Sequence, residues 1–266
     1  MFVNNKIYVV THKQAEFPRD PLYCPIQVGF GNELFWNDAP IIRDNSGDNI
    51  SAKNSTFCEL TAVYWLWKNI ASDGFIGIEH YRRYLSTNRF SNSYKYFLKE
   101  DDILSALSYC DFVLPEQYIW KNRTVFSNYA LSVGHETDLG VLRDTISNKS
   151  KEYVETYDAV LNSGSAYYCN MLICSKQLFD SYCEWLFKIL FEFENIVDLS
   201  DYSKSQKRIF GYVSEILLNV WLIKNQNTVK TFPMINSEEP SALKVLRHIK
   251  QGKYNMPYTP DWLKTK

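Results

Sequence analysis

The chain has 266 residues, with 29 Lys and Arg against 30 Asp and Glu and a formal net charge of −1. That length suits one large α/β domain, and the even charge excludes a dedicated nucleic-acid binder, which carries a clear basic excess. The six cysteines, Cys24, Cys58, Cys110, Cys169, Cys174 and Cys183, form no CxxC pair and no metal-ligand spacing. They read as free thiols of a reducing compartment, so the chain is expected to be cytoplasmic, with the inner face of the membrane as a second location.

Ile7–Thr11 is a β-branched run and is expected to be a first strand, ending in Thr11, His12 and Lys13. From Gln14 to Ser55 the chain is rich in Pro, Gly, Asn and Asp, and reads as one long functional loop. Within it, Asp44 and Asp48 in "DNSGDN" read as a turn, since the spacing and terminal acid of a calcium loop are missing. Thr56-x-x-Glu59 then has the form of a capping box for a helix with Leu60, Val63, Tyr64, Trp67 and Ile70 on one face.

After Asp73-Gly74 comes "FIGIEHYRRYL", an apolar strand that turns abruptly polar. Asp101 opens a short helix, Cys110–Pro115 reads as a strand, and residues 134–162 are helical and polar. Ala166–Ser175 reads as one strand and is followed by an amphipathic helix from Gln177 to about Glu194. A further helix begins near Gly211, "TVKTFPMI" is a last strand, and Ser241–Ile249 a terminal helix. Strands alternating with helices give an α/β fold with a largely parallel, Rossmann-like central sheet flanked by helices.

Residues 1–240 are assigned to that domain and 241–266 to a basic tail, with six Lys or Arg against Asp261 from Ser241 onward. Two readings of the tail stay open: contact with an anionic membrane surface, and a solvated end. No stretch has the make-up of a signal peptide or a membrane span.

Ligands of open α/β sheets bind beyond the carboxyl ends of the strands. That rule selects Thr11, His12 and Lys13, the Glu79–Arg83 run, and Asn170. Strict alternation would put Glu79, Tyr81 and Arg83 on one side and His80 and Arg82 on the other. Such a strand end is either salt-bridged or an anion site, and the arginine fork suits a diphosphate. No GxGxxG, GxxxxGK[ST], GxSxG or HExxH motif is present. Glu215, in "GYVSEILL", falls in the first turns of a helix, where the dipole would keep it ionised as a general base or where it merely complements that dipole.

Taken together, "IYVVTHK", "YCPIQVG", "DNSGDNISAKN", "CELTAVYWLWKN", "IGIEHYRRYL", "NMLICSKQLFDSYCEWLF" and "FGYVSEILLNVWL" resemble the domain family of bacterial capsule and O-antigen gene clusters classed as glycosyltransferase family 111. The resemblance implies a GT-A-like, inverting nucleotide-sugar transferase, with UDP-galactofuranose as donor and a lipid-linked glycan as acceptor. A UDP-hexopyranose donor fits the same features, and a carbohydrate-binding module is the non-enzymatic alternative.

Carried onto this sequence, the resemblance makes Glu215 the base. It places Thr11, His12, Lys13, Asp48, Asn49, Asn54, His80, Tyr81, Arg82 and Arg83 on the donor. His135, Glu136, Asp138 and Asn170 line the acceptor side. Many GT-A enzymes hold a divalent metal through Asp-x-Asp, where this sequence has His80-Tyr81-Arg82-Arg83. The expectation is therefore no cofactor, with arginine and lysine neutralising the leaving group, and Mg or Mn left open.

Overall fold

The computed structural model describes residues 5–239. The expected basic tail and terminal helix lie outside the described residues. Among the described residues the architecture is mixed α/β, built on a nine-stranded, mostly parallel sheet flanked by helices. Its main path runs Val229–Phe232, Phe112–Pro115, Leu172–Ser175, Phe75–His80, Lys6–Thr11, Tyr23–Gln27, Ile42–Arg43. Of these seven described strands only Leu172–Ser175 runs against the others. Such a sheet is covered on both faces, which is why Ile7, Val9, Ile26, Ile76, Ile78 and Ile173 are all buried.

From Lys6–Thr11 the chain moves outward to Tyr23–Gln27 and Ile42–Arg43, then returns to lay Phe75–His80 on the other side of the first strand. The strand order thus reverses between Lys6–Thr11 and Phe75–His80, and a crevice opens at the carboxyl ends of such a pair. Gly77 leaves room for the Ile7 and Ile173 side chains from the strands on either side. A Cβ there would lie 3.0 Å from Ile7 Cγ1 and 3.1 Å from Ile173 Cγ1.

Several expected elements are divided. The region read as one loop, Gln14–Ser55, contains the strand Tyr23–Gln27. Pro25 hid it, yet Pro25 is tolerated because the outer neighbour pairs only with Ile26 and Gln27. The expected strand Ala166–Ser175 breaks at Cys169 and Asn170, both at positive φ (79° and 49°). Ser165–Ala166 then pairs with Tyr118–Ile119 in a separate ribbon, and only Leu172–Ser175 joins the main sheet. The last strand is split by Pro233, so Val229–Phe232 lies beside Phe112–Pro115 while Met234–Asn236 pairs with Arg83–Leu85.

The helix expected behind a Thr56–Glu59 capping box is interrupted. Asn54–Phe57 and Leu60–Asn69 are separate helices, with Cys58 between them at φ 54°, ψ −130°. Thr56 Oγ1 donates backward to Lys53 O at 3.1 Å, and the Glu59 side chain makes no cap. The long helix Lys176–Ile196 packs on Leu60–Asn69, Glu136–Lys149 and Ile209–Lys224, with Phe179, Leu186, Leu190 and Phe193 fully buried. Among the described residues no helix is long and apolar enough to cross a membrane.

Candidate active site

The strand Phe75–His80 ends on a tight turn at Tyr81-Arg82, and His80 pairs with Arg83 across it. Strict alternation therefore fails at residue 81, and both Arg82 and Arg83 line one cleft instead of facing apart. His80 lines it too, and its Nε2 donates to Cys169 O at 2.7 Å. A carbonyl only accepts, so the proton sits on Nε2. Burial, followed by the neighbouring arginines, pushes the imidazole down to about 4 against the pull of Glu59, so the ring is neutral at pH 7.

Glu215 enters the cleft from the helix Ile209–Lys224, where it is the seventh residue and lies beyond the first turn. Its Oε1 accepts from Cys169 N at 2.8 Å. The helix dipole does not keep this acid ionised. Burial first, and the negative charge of Glu59 second, raise its pKa to about 8, with Arg83 and Arg208 opposing. The base role thus asks for a carboxyl that is mostly protonated at neutral pH.

Glu59, freed from capping, lines the same cleft. Its Oε1 accepts from Asn170 Nδ2 at 2.7 Å, and the same Nδ2 donates to Gly211 O at 3.0 Å. Asn170 Oδ1 accepts from Ser214 Oγ at 3.0 Å. Asn170 is 5 % exposed, so it stands behind the cleft and braces it. Three of the six non-glycine residues at positive φ among the described residues, Cys58, Cys169 and Asn170, fall here. Such conformations cost energy and persist where the surroundings fix them, commonly at functional sites.

A third arginine completes the lining. Arg208 precedes the helix that carries Glu215, and its Nε donates to Cys58 Sγ at 3.1 Å. The cleft therefore joins Arg82, Arg83 and Arg208 with Glu59 and Glu215, with Tyr168 and Tyr212 on its wall.

Beside it, Thr11 Oγ1 donates to Lys13 O at 2.6 Å and accepts from Lys13 N at 3.2 Å, which fixes the turn after the first strand. Lys13 Nζ lies 4.9 Å from the Tyr81 ring centroid and the Arg82 guanidinium carbon 5.6 Å from it, while His12 meets that ring edge-on at 5.4 Å. Partial burial and the charges of Lys13, Arg82 and Arg208 hold the His12 pKa below its usual range.

The remaining expected residues stand apart from this lining. Asp48 Oδ1 accepts from Tyr64 Oη at 3.0 Å, and Asn49 braces its own turn through Gly47 O and Ser51 N. Asn54 Nδ2 donates to Cys58 O at 2.7 Å, and its Oδ1 fills the space a Cβ on Gly29 would need. His135, Glu136 and Asp138 begin the helix Glu136–Lys149. Asp138 is 1 % exposed and accepts from Tyr129 Oη, Tyr202 Oη and His135 N. Among the described residues no group of three or more His, Cys, Asp or Glu is placed to hold a metal ion.

Sequence reading overlooked Glu59, Arg208, Cys58, Cys169, Tyr168 and Tyr212. Arg208 precedes Glu215 by seven residues, but nothing in that spacing marks it as a cleft residue. Nothing local marked Glu59, whose spacing from Thr56 suggested a cap.

Arginines and carboxylates are thus gathered beyond the reversing strands of a mostly parallel α/β sheet. The chain belongs to the family described as "Domain of unknown function (DUF4422)", whose model matches residues 6–226. Among solved structures it is similar to "WbbM bifunctional glycosyltransferase apo structure", with 28% identity and a TM-score of 0.79. That match covers 88% of this chain and 45% of the other, so the chain spans less than half of that structure. No curated protein matches the chain.

Proposed function

We propose that this chain is an inverting glycosyltransferase of GT-A type, moving a sugar from a UDP-sugar to a hydroxyl of a growing capsule or O-antigen glycan. Galactofuranose from UDP-galactofuranose is the sugar the resemblance favours, and the classing with glycosyltransferase family 111 belongs to the same proposal. Two things support it: the likeness to a bifunctional glycosyltransferase, and one observation that carries most weight, that Glu215 shares a cleft with Arg82 and Arg83.

In this reading the acceptor oxygen attacks the anomeric carbon from the face opposite the diphosphate. Glu215 removes the hydroxyl proton as the new C–O bond forms, and the old bond to the phosphate oxygen breaks with its electron pair on UDP. Arg82 or Arg83, with Lys13, stabilises the charge that gathers on the leaving group. Thr11, His12, Tyr81 and His80 frame the donor end, with Asp48, Asn49 and Asn54 assigned to the nucleoside. His135, Glu136, Asp138 and Asn170 are assigned to the acceptor side, Asn170 through its hold on Glu59. The arginines take the place of a metal, so activity is expected to survive chelator. A lipid-linked acceptor, peripheral contact through the basic tail and a cytoplasmic site of action complete the proposal.

The test is a panel of UDP-sugars, including UDP-galactofuranose, UDP-galactose and UDP-glucose, offered with a short galactoside acceptor and followed by UDP release and product mass. Transfer from one donor supports the reading. If UDP does not bind and none of the donors turns over, the reading is wrong, and a carbohydrate-binding module becomes the better one.

A further inference from the structure

Glu238 closes over two of the cations assigned to the donor. Its Oε1 lies 3.2 Å from Lys13 Nζ and its Oε2 3.6 Å from Arg82 Nη1. The backbone that delivers it is fastened to the strand that follows Arg82. Asn236 pairs with Arg83, Ser237 N donates to Arg82 O at 2.9 Å, and Glu238 N donates to Asn236 Oδ1 at 3.0 Å. Asn92 Nδ2 donates to the carbonyls of Ser237 and Glu239 at 3.3 and 3.1 Å.

We propose that Glu238 marks an anion seat, its carboxylate standing where a phosphate group of the ligand binds and leaving when a diphosphate arrives. This rests on the nucleotide-diphosphate donor proposed above. Two carboxylate oxygens bridging two cations make the same kind of charge-assisted contact that a phosphate makes with its own oxygens. Exposure decides which anion prevails. The side chains of Lys13, Arg82 and Glu238 are 49%, 29% and 46% exposed, and ion pairs so open to water are weakly held. A diphosphate brings more charge and more acceptor oxygens to the same cations. Only the Glu238 side chain has to swing aside, because the pairing of Met234–Asn236 does not pass through it. Between the two cations the carboxylate offsets the like charge of Lys13 and Arg82, which both lie beside the Tyr81 ring.

The experiment is isothermal titration of the full chain with inorganic pyrophosphate and, separately, with UDP, using wild type, Glu238→Gln, Glu238→Lys and Lys13→Met. Removing an exposed competing carboxylate is expected to tighten pyrophosphate binding about two- to tenfold, on the scale of such pairs. Glu238→Lys should go further in the same direction, and Lys13→Met should weaken binding. Melting curves check that each variant is folded. Equal or weaker pyrophosphate binding by both Glu238 variants overturns the proposal. If UDP binds wild type and both Glu238 variants alike, the donor reading stands and the seat fails. If pyrophosphate tightens while UDP is ignored, the seat stands and the nucleotide donor fails.

Discussion

Cys169 donates its backbone N–H to Glu215 at 2.8 Å, while its carbonyl accepts from His80 Nε2 at 2.7 Å. One left-handed residue therefore ties the proposed base to the end of the central strand, and the next residue, Asn170, ties down Glu59. Since this tie is a backbone hydrogen bond to an oxygen, an amide at position 215 can still accept it.

Glu215→Gln should therefore keep its place and lose only the ability to take a proton. Transfer is expected to fall about 10²- to 10⁴-fold, the usual worth of a general base. UDP affinity measured by titration should stay within about twofold, since uncharged glutamine leaves the three arginines in place. Turnover near wild type would exclude Glu215 from the chemistry.

The pH profile follows from the same carboxyl. Its pKa is raised to about 8 by burial and then by Glu59, and a base acts only when deprotonated. Activity under limiting donor should climb as pH rises through that value. Replacing Glu59 by Gln removes the like charge, so the climb should move to lower pH. Profiles of both proteins between pH 5.5 and 9.5 give the answer, and an unmoved limb would separate Glu59 from Glu215.

Arg82→Met and Arg83→Met should weaken UDP binding, each by roughly tenfold, as loss of a charge-assisted contact does. The slope of affinity against salt should flatten as well. Arg208→Met tests whether the third arginine belongs with them. Tight UDP binding by Arg82→Met and Arg83→Met alike would move the diphosphate elsewhere.

Glu79 concerns stability instead of chemistry. It is fully buried, its Oε1 accepts from Leu85 N at 2.9 Å, and its Oε2 has no partner among the described residues. Burial raises its pKa from 4.5 to about 8, so the folded state holds a proton that the unfolded state releases. Its contribution is complete below about 4.5 and is lost as pH rises toward 8. Wild type should lose stability over that window by on the order of 3 kcal/mol relative to Glu79→Gln. Denaturant unfolding of both at pH 5 and pH 8 measures the difference, and parallel behaviour would contradict it.

The sheet was legible because short, continuously apolar runs such as Ile7–Val10 and Phe75–Ile78 stand out from their polar surroundings, and burial on both faces enforces that pattern. Arg82, Arg83 and Glu215 could be singled out because charge beside an apolar run is locally conspicuous. Glu59 could not be, because its role depends on a backbone reversal at Cys58 and on an asparagine 111 positions away. The strands Tyr23–Gln27 and Leu172–Ser175 were blurred for related reasons. One carries a proline that the sheet tolerates, and the other is preceded by left-handed residues that no propensity announces.

The reversal of strand order has a consequence for synthesis of the chain. Lys13, the arginine turn at 82–83 and Glu215 are far apart in the chain, yet the arginines and the acid line one cleft and Lys13 stands beside it at Tyr81. A nascent chain halted before the helix Ile209–Lys224 emerges holds Lys13, Glu59, Arg82 and Arg83 but lacks Glu215. Any competence of this cleft thus waits until the helix Ile209–Lys224 has been made.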